Sequence, residues 1–251
     1  MEFITYIGEG IAGLVFLVVG LRVYSLSLRS DEIADRLLST SFLLWTLGYA
    51  AYDIPYLLFY RDAAEFPTLF AFSSLFAFYL GSAALTLFNR AVFRSQERWA
   101  LWLVAITFGC LILGVTGSIW VGDWAGESPL TNPWWWVTRV GSAIPLCWMS
   151  VEGLTQYVKA RKRRRVGLCE PLVCNRYLLW GLAGSFWVLL ELIDIVDYIA
   201  FESTGQPSAT INVLLGWHEF IPGVLVGLVF FPPAIYRSWI EGDTREELVP
   251  E

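Results

Sequence analysis

Ionisable side chains interrupt the apolar stretches of this sequence, and their chemistry has to be explained first. An ionised group inside apolar surroundings costs several kcal/mol, so it usually faces a cavity, a partner or another ionisable group. The ionisable residues inside predicted helices are Glu9, Asp53, Glu152, Glu191, Asp194, Asp197, His218 and Glu219, with Arg139 as a counter-ion.

Several of these residues are predicted to lie at one depth. At about 1.5 Å of rise per residue, five of them fall roughly 7–12 Å from the outer end of their helices. This layer comprises Glu9, Asp53, Arg139, Asp194 and His218. On the sixth helix, Glu191, Asp194 and Asp197 follow each other at i, i+3 and i+6, which keeps them within an arc of about 120°.

The balance of charge favours bound protons or cations. Seven carboxyl groups face only Arg139 and His218. They cannot all be ionised, so some hold protons or a cation is bound. The expected binding or relay core is Asp53, Asp194 and His218, supported by Glu9, Glu191 and Glu219, with Arg139 tuning one carboxylate. The alternative is that these groups only join helices through hydrogen bonds, or lie nearer the membrane surface.

The elements that carry these residues are predicted to be membrane-spanning helices. The chain is 56% hydrophobic and only 16% charged, which is more apolar surface than one soluble core can bury. Residues 66–89 and 99–122 are each uncharged and long enough to cross the hydrocarbon core. They lack the alternation of barrel strands, so helices are expected.

The fold class is therefore all-α: a polytopic membrane protein with a single seven-helix transmembrane domain over 1–251. The predicted helices cover approximately residues 4–26, 37–60, 66–89, 99–122, 134–158, 174–201 and 210–237, and a short acidic cytoplasmic tail covers 238–251. The first stretch carries Glu2 and Glu9 where a signal peptide would carry Lys or Arg, so it is expected to remain as a helix.

Basic residues predict the orientation. Fifteen of the seventeen fall on one side of the predicted helices, and only Arg61 and Arg139 fall at the other. The positive-inside rule then places the N-terminus outside and the C-terminus in the cytoplasm. The chain is expected to be a multi-pass protein of the plasma (inner) membrane. The run Lys159 to Arg165 has an alternative interpretation as an anionic-lipid or nucleic-acid site, but a basic cytoplasmic loop is what topology predicts.

Short sequence matches indicate an internal repeat of three helices. Two of the matches are Leu43-Leu44-Trp45 with Leu178-Leu179-Trp180, and Ala91-Val92-Phe93-Arg94-Ser95 with Ala234-Ile235-Tyr236-Arg237-Ser238. The resulting 3+1+3 parallel plan resembles that of SWEET and PQ-loop transporters, and microbial rhodopsins share the seven-helix layout. The chain contains no Pro-Gln pair, so it lacks the signature that defines the PQ-loop family. Its only lysines, Lys159 and Lys162, lie in a predicted loop, so no retinal Schiff base is expected.

Proton- or cation-linked transport of a small solute is the function that the sequence favours. A seven-helix sensor or receptor that signals through a cytoplasmic or membrane protein partner remains an alternative. An intramembrane metal-dependent enzyme is a third, with a di-metal site from Glu191, Asp194, His218 and Glu219. The expected partners are the lipid bilayer and a small solute or cation, with no nucleic acid, and the sequence leaves the cofactor and metal unknown.

Overall fold

Helices account for all regular structure in the described part of the chain. The computed structural model describes residues 2–60, 67–122, 131–204 and 220–247. Its helices are α1 Glu2–Ser30, α2 Ile33–Pro55, α3 Thr68–Phe93, α4 Arg98–Trp120, α5 Pro133–Arg164, α6 Pro171–Thr204, α7 Phe220–Phe230 and α8 Ala234–Glu247. A π-helical turn, Tyr56–Tyr60, continues α2.

Local sequence explains where several helices begin and end. Asn132 caps α5, because its side chain accepts hydrogen bonds from the backbone N–H groups of Trp134 and Trp135, and Pro133 occupies the first helical position. Gly167 follows α5 with a φ of 73°, a left-handed conformation that glycine adopts at little cost. These residues fix both ends of the helix that carries Arg139.

The last predicted helix differs from the structure. The sequence predicts one helix over 210–237, whereas the structure has α7 and α8, bent by 75° at residues 231–233. Pro232 and Pro233 lie in the break. Neither has a backbone N–H to continue the hydrogen bonding of the helix, which explains why the helix stops there. Pro222 lies within α7, and residues 210–219 of the predicted helix lie outside the described residues. The segment predicted as a tail is therefore helical as far as Glu247.

Close contacts at glycines show which way neighbouring helices run. Gly13 of α1 faces Tyr49 of α2, and Gly20 faces Leu43, so α1 and α2 are antiparallel. Three further pairs of helices are antiparallel by the same criterion, because residue numbers rise along one helix as they fall along the other. The contacts are Gly48 with Phe78 and Gly81 with Trp45 for α2–α3, Gly114 with Thr138 and Gly117 with Trp134 for α4–α5, and Gly153 with Gly181 and Gly184 with Ser150 for α5–α6.

Two further pairs run parallel. Gly223 of α7 faces Ala12 of α1, and Gly227 faces Val15. The Asn89 side-chain amide of α3 donates to the carbonyl of Pro145 in α5 at 2.9 Å, and Arg94 pairs with Glu152 farther along both helices. The helices therefore alternate in direction along the chain.

The outer surface of this bundle is apolar. Many of its most exposed large side chains are hydrophobic, including Leu14, Trp102, Trp120 and Leu192. Five helical stretches are long and apolar enough to cross a membrane, and the bent pair α7 and α8 makes a sixth if taken as one span: Gly10–Ser30, Ile33–Phe59, Thr68–Phe93, Arg98–Trp120, Pro171–Ala200, and Phe220–Phe230 with Ala234–Gly242. The fold is compatible with a multi-pass membrane protein.

The helix α5 is less apolar than its neighbours, because it carries Arg139, Glu152 and a run of basic residues in its last turn. It is also surrounded, since it packs against α3, α4 and α6. A helix with few lipid-facing positions can hold polar residues that a peripheral helix cannot. Its position explains why the charged side chains of the bundle meet on it.

Aromatic side chains fill the centre of the bundle. Phe16 of α1 stacks on Phe42 of α2 with ring centroids 5.5 Å apart. Trp45 of α2 meets Trp187 of α6 edge to face at 5.3 Å, and Phe42 also contacts Trp180 of α6. This core joins α1, α2 and α6 and closes one end of the cavity described below.

The two pentapeptides that favour an internal repeat have different local structures. Ala91 to Phe93 form the end of α3, and Arg94 caps it. Ala234 to Ser238 instead begin α8 after the 75° bend. The internal repeat stays a prediction, and the two matching pentapeptides do not occupy equivalent positions in their helices.

The contact between α5 and α6 leaves no room for an added methyl group at Gly153. A Cβ there would lie 2.6 Å from the Gly181 Cα, and backbone atoms cannot move aside like a flexible side chain. Gly153→Ala is expected to destabilise the protein by about 1–3 kcal/mol through this overpacking. Thermal unfolding of the purified protein in detergent measures the effect. Gly109→Ala in α4 is the control, because nothing lies within 4 Å of that position, and equal stability of the two variants would contradict the packing.

Candidate functional site

A charge cluster joins α5 to α6 in the half of the bundle away from the basic loops. The Nη1 atom of Arg139 donates to Glu191 Oε2 at 2.8 Å, and its Nη2 atom donates to Asp194 Oδ2 at 2.6 Å. Glu191 and Asp194 are one helical turn apart, so both reach the same guanidinium. The sequence assigns one carboxylate to Arg139, and the structure gives it two.

Aromatic rings hold the same guanidinium from the sides. The Arg139 Cζ lies 4.7 Å from the centroid of Trp135, one turn earlier in α5, and 5.9 Å from that of Tyr198 in α6. Trp135 and Tyr198 also meet edge to face at 5.4 Å. Because a cation over an aromatic face is attracted to it, these rings restrict the guanidinium further.

The cluster keeps an excess of negative charge. One guanidinium faces two carboxylates, which leaves one formal negative charge when all three are ionised. Farther along α6, the Asp197 Oδ1 atom is buried and accepts no hydrogen bond from a described residue. The predicted stripe of Glu191, Asp194 and Asp197 thus contains two carboxylates paired with Arg139 and a third with one buried oxygen that has no hydrogen-bond partner among the described residues.

A cavity of about 240 Å³ opens beside this cluster. Five helices line it, and most of its lining side chains are aromatic: Phe16 from α1; Trp45 and Tyr49 from α2; Leu75, Phe78, Tyr79 and Ser82 from α3; Trp135, Arg139, Ser142 and Leu146 from α5; Trp187, Glu191 and Tyr198 from α6. Its charged lining residues are Arg139 and Glu191, whereas Asp194 lies outside the lining. The cavity therefore has an aromatic wall and a charged edge.

The structure describes only part of the predicted site. It brings together Arg139, Glu191 and Asp194. The backbone of Glu9 lies in α1 and that of Asp53 in α2, but their side chains lie outside the described part of the structure. His218 and Glu219 also lie outside the described residues. Glu9, Asp53, His218 and Glu219 remain predicted members of the site.

The aromatic wall is the feature that the sequence analysis missed. Two pairs of its residues recur at helical spacing on single faces: Trp45 and Tyr49 are four apart, and Trp187 and Tyr198 are eleven apart, which is about three turns. Such spacing places both side chains of a pair on one side of a helix, so the wall had a readable signal. Trp134 to Trp136 at the start of α5 also fit a belt of aromatic residues at the membrane surface, so their spacing has a second interpretation.

A second buried ion pair lies near the basic loops. Arg94, just after α3, binds Glu152 of α5 with two hydrogen bonds of 2.5 and 3.2 Å, and Glu152 is only 3% exposed. The hydrogen bond to Glu152 and the charge of that carboxylate raise the pKa of Arg94 above its usual value. The sequence predicts no ion pair for Arg94, and the structure makes it the partner of Glu152, a carboxylate that was expected to lack a basic partner.

Removal of the Arg139 charge tests the cluster. In Arg139→Gln, two neighbouring carboxylates lose their counter-charge, and we expect a loss of about 2–3 kcal/mol, less than for a fully buried pair, because these side chains are 22–26% exposed. Adding Asp194→Asn should restore part of the loss, because it removes the repulsion. Thermal unfolding provides the measurement. Arg36→Gln is the matched control, since its pair with Asp31 is largely exposed and should contribute under about 1 kcal/mol. A double variant less stable than Arg139→Gln would contradict the cluster.

The described residues contain no group of three His, Cys, Asp or Glu side chains arranged for a metal ion. Glu191 and Asp194, two members of the predicted di-metal site, each bind Arg139 through one oxygen, while the other two members lie outside the described residues. Chemically, the site combines a cation-attracting wall with a charge pair that a solute can compete for. Comparison with known proteins finds no matching family model, no matching curated protein and no matching solved structure.

Proposed function

We propose that this chain is a seven-helix integral membrane protein that binds a small solute in the cavity and transports it in a proton- or cation-linked step. The N-terminus lies outside and the C-terminus in the cytoplasm of the plasma (inner) membrane. The observation that carries the proposal is the cavity of about 240 Å³ with Arg139 and Glu191 at its edge. Such a paired charge within an apolar bundle is typical of solute and proton pathways.

The alternating helix directions support seven crossings. Because α1 and α7 are parallel, an odd number of crossings connects them. The basic residues gather at the connections that follow α1, α3 and α5, which the positive-inside rule assigns to the cytoplasm. The cavity then lies in the outer half of the bundle.

The excess of carboxylates supports the link to a proton or a cation. When a cationic solute or a proton reaches Glu191, the guanidinium can stay bound to Asp194, so the cluster can exchange one positive charge for another. Exchange of this kind couples solute binding to the charge state of the site.

Cysteine labelling tests the topology. In a background where the other cysteines are replaced by serine, we expect Ser128→Cys in residues 123–130 to react with a membrane-impermeant maleimide in intact cells. Native Cys169, in the basic loop after α5, should react only after permeabilisation. The reverse pattern would invert the orientation, and reaction of both sites in intact cells would rule out a crossing between them.

Uptake by proteoliposomes tests the transport function. Purified protein is reconstituted, the outside is made acidic relative to the inside, and accumulation of a labelled amine, a neutral amino acid, a sugar and a carboxylate is measured. We expect one of these classes to accumulate with the proton gradient. Glu191→Gln and Asp194→Asn should abolish the uptake, because each removes one charge from the cluster.

Glu241→Gln in α8 is the control for that experiment, since Glu241 is exposed and far along the chain from the cavity. Solute binding without flux would contradict transport and indicate a sensor. Equal uptake by all variants would show that the charge cluster is not required for transport. Asp53→Asn tests the same point for a predicted residue whose side chain lies outside the described structure.

A further inference from the structure

The chemical character of the cavity wall limits the kind of solute that can bind there. Trp45 and Trp187 meet at 5.3 Å, and Tyr49 meets Phe78 at 4.9 Å, so two aromatic pairs from α2, α3 and α6 border the space. All four residues line the cavity. Aromatic faces carry negative electrostatic potential and attract cations, most strongly where water is excluded.

The two carboxylates bound to Arg139 differ in their access to the cavity. Glu191 lines the space, and Asp194 does not. Separate nitrogens of Arg139 hold them, Nη1 for Glu191 and Nη2 for Asp194. A solute can therefore replace Nη1 at Glu191 while Asp194, Trp135 and Tyr198 keep the guanidinium in place.

Hydroxyl groups add acceptors on the same lining. Ser82 donates to the Phe78 carbonyl at 3.0 Å, and Ser142 donates to the Arg139 carbonyl at 3.0 Å. Each hydroxyl oxygen keeps lone pairs that can accept a hydrogen bond, and an ammonium group has three donors to offer. An anion would instead meet two carboxylates around the single guanidinium.

Cavity size limits the solute further. An apolar cavity of about 150 Å³ accommodates benzene, which sets a scale for one ring. The cavity of about 240 Å³ in this protein has room for one ring and a short side chain.

Resting on the proposed function, we propose that the solute is an organic monocation, a protonated amine that carries a single ring or a branched group of similar size. Its ammonium group binds Glu191 in place of Arg139 Nη1 and donates to the hydroxyls of Ser82 and Ser142. Its hydrocarbon part packs against Trp45, Tyr49 and Trp187. Arg139 acts as a tethered competitor that occupies Glu191 when no solute is bound.

Three probes of similar size and different charge test this substrate class. Binding of 2-phenylethylammonium, 2-phenylethanol and 3-phenylpropionate to the purified full chain is measured by titration calorimetry and by the shift in thermal unfolding. The ammonium probe should bind about tenfold or more tighter than the alcohol, since it adds a charge-assisted hydrogen bond and contact with the aromatic faces. The carboxylate probe should bind more weakly than the alcohol.

Variants assign the binding to the residues. Glu191→Gln should weaken ammonium binding by about 10-fold to 100-fold and leave alcohol binding nearly unchanged. Tyr49→Leu should weaken it and Tyr49→Phe should retain it, which provides a test that does not depend on the fold of the Glu191 variant. Glu241→Gln is the control and should match the wild type.

The possible outcomes separate the two proposals. If the alcohol or the carboxylate binds as tightly as the ammonium probe or more tightly, the proposal of an organic cation as substrate is wrong. Uptake of a neutral or anionic solute by proteoliposomes would then still support the transport function. Failure of the ammonium probe to bind also overturns the substrate class. If no solute class accumulates in proteoliposomes while the ammonium probe binds as expected, the transport function falls and the cation site stands.

Discussion

The attachment of one arginine to two carboxylates on the neighbouring helix is the constraint around which this bundle is arranged. Arg139 is on a helix enclosed by others, and a guanidinium cannot be deprotonated to escape the cost of burial. Its position therefore requires that α6 present Glu191 and Asp194 at the same level. The close approach of Gly153 to Gly181 brings the two helices near enough for this contact.

The enclosed position of α5 explains why polar chemistry gathers on it. Near one end it carries Arg139 with its α6 partners, and near the other it carries Glu152 with Arg94. Between them, the carbonyl of Pro145 accepts a hydrogen bond from Asn89 of α3. Because each of these groups has a specified partner, the ion pairs fix how α3, α5 and α6 are placed along one another, a role that nonspecific apolar packing does not perform.

Sequence reasoning recovered the helices for a clear physical reason. A run such as residues 66–89 has no charge, and only a helix satisfies its backbone in an apolar environment, so α3 could be located within a few residues. The sequence predicts the end of α1 near residue 26, whereas the helix continues through polar residues to Ser30. An exposed helix turn tolerates such residues, and hydropathy alone does not mark its end.

The sequence predicts which charged residues belong to the site more readily than it predicts which of them form ion pairs with each other. The excess of acids over bases identified Arg139 as a counter-ion, but the choice of Glu191 and Asp194 depends on how α5 and α6 are rotated against each other, which sequence spacing does not specify. Arg94 was assigned to the loop because it follows an apolar run, whereas its guanidinium returns to Glu152. The aromatic wall was readable from spacing, yet aromatic residues in membrane helices have several roles, so the spacing alone did not identify a cavity.

The bend between α7 and α8 restricts how the final span can move. The 75° turn after α7 changes the direction of the chain, and Ile235 and Trp239 present exposed apolar surface on adjacent turns of α8. Tyr236 accepts a hydrogen bond from Asn175 at 2.8 Å and Ile240 is buried, so the neighbouring side of α8, about 100° round the helix, packs against the bundle. A displacement of α7 along its axis would carry α8 with it and break the hydrogen bond between Asn175 and Tyr236. This hydrogen bond and the burial of Ile240 therefore tie the position of α7 to that of α6.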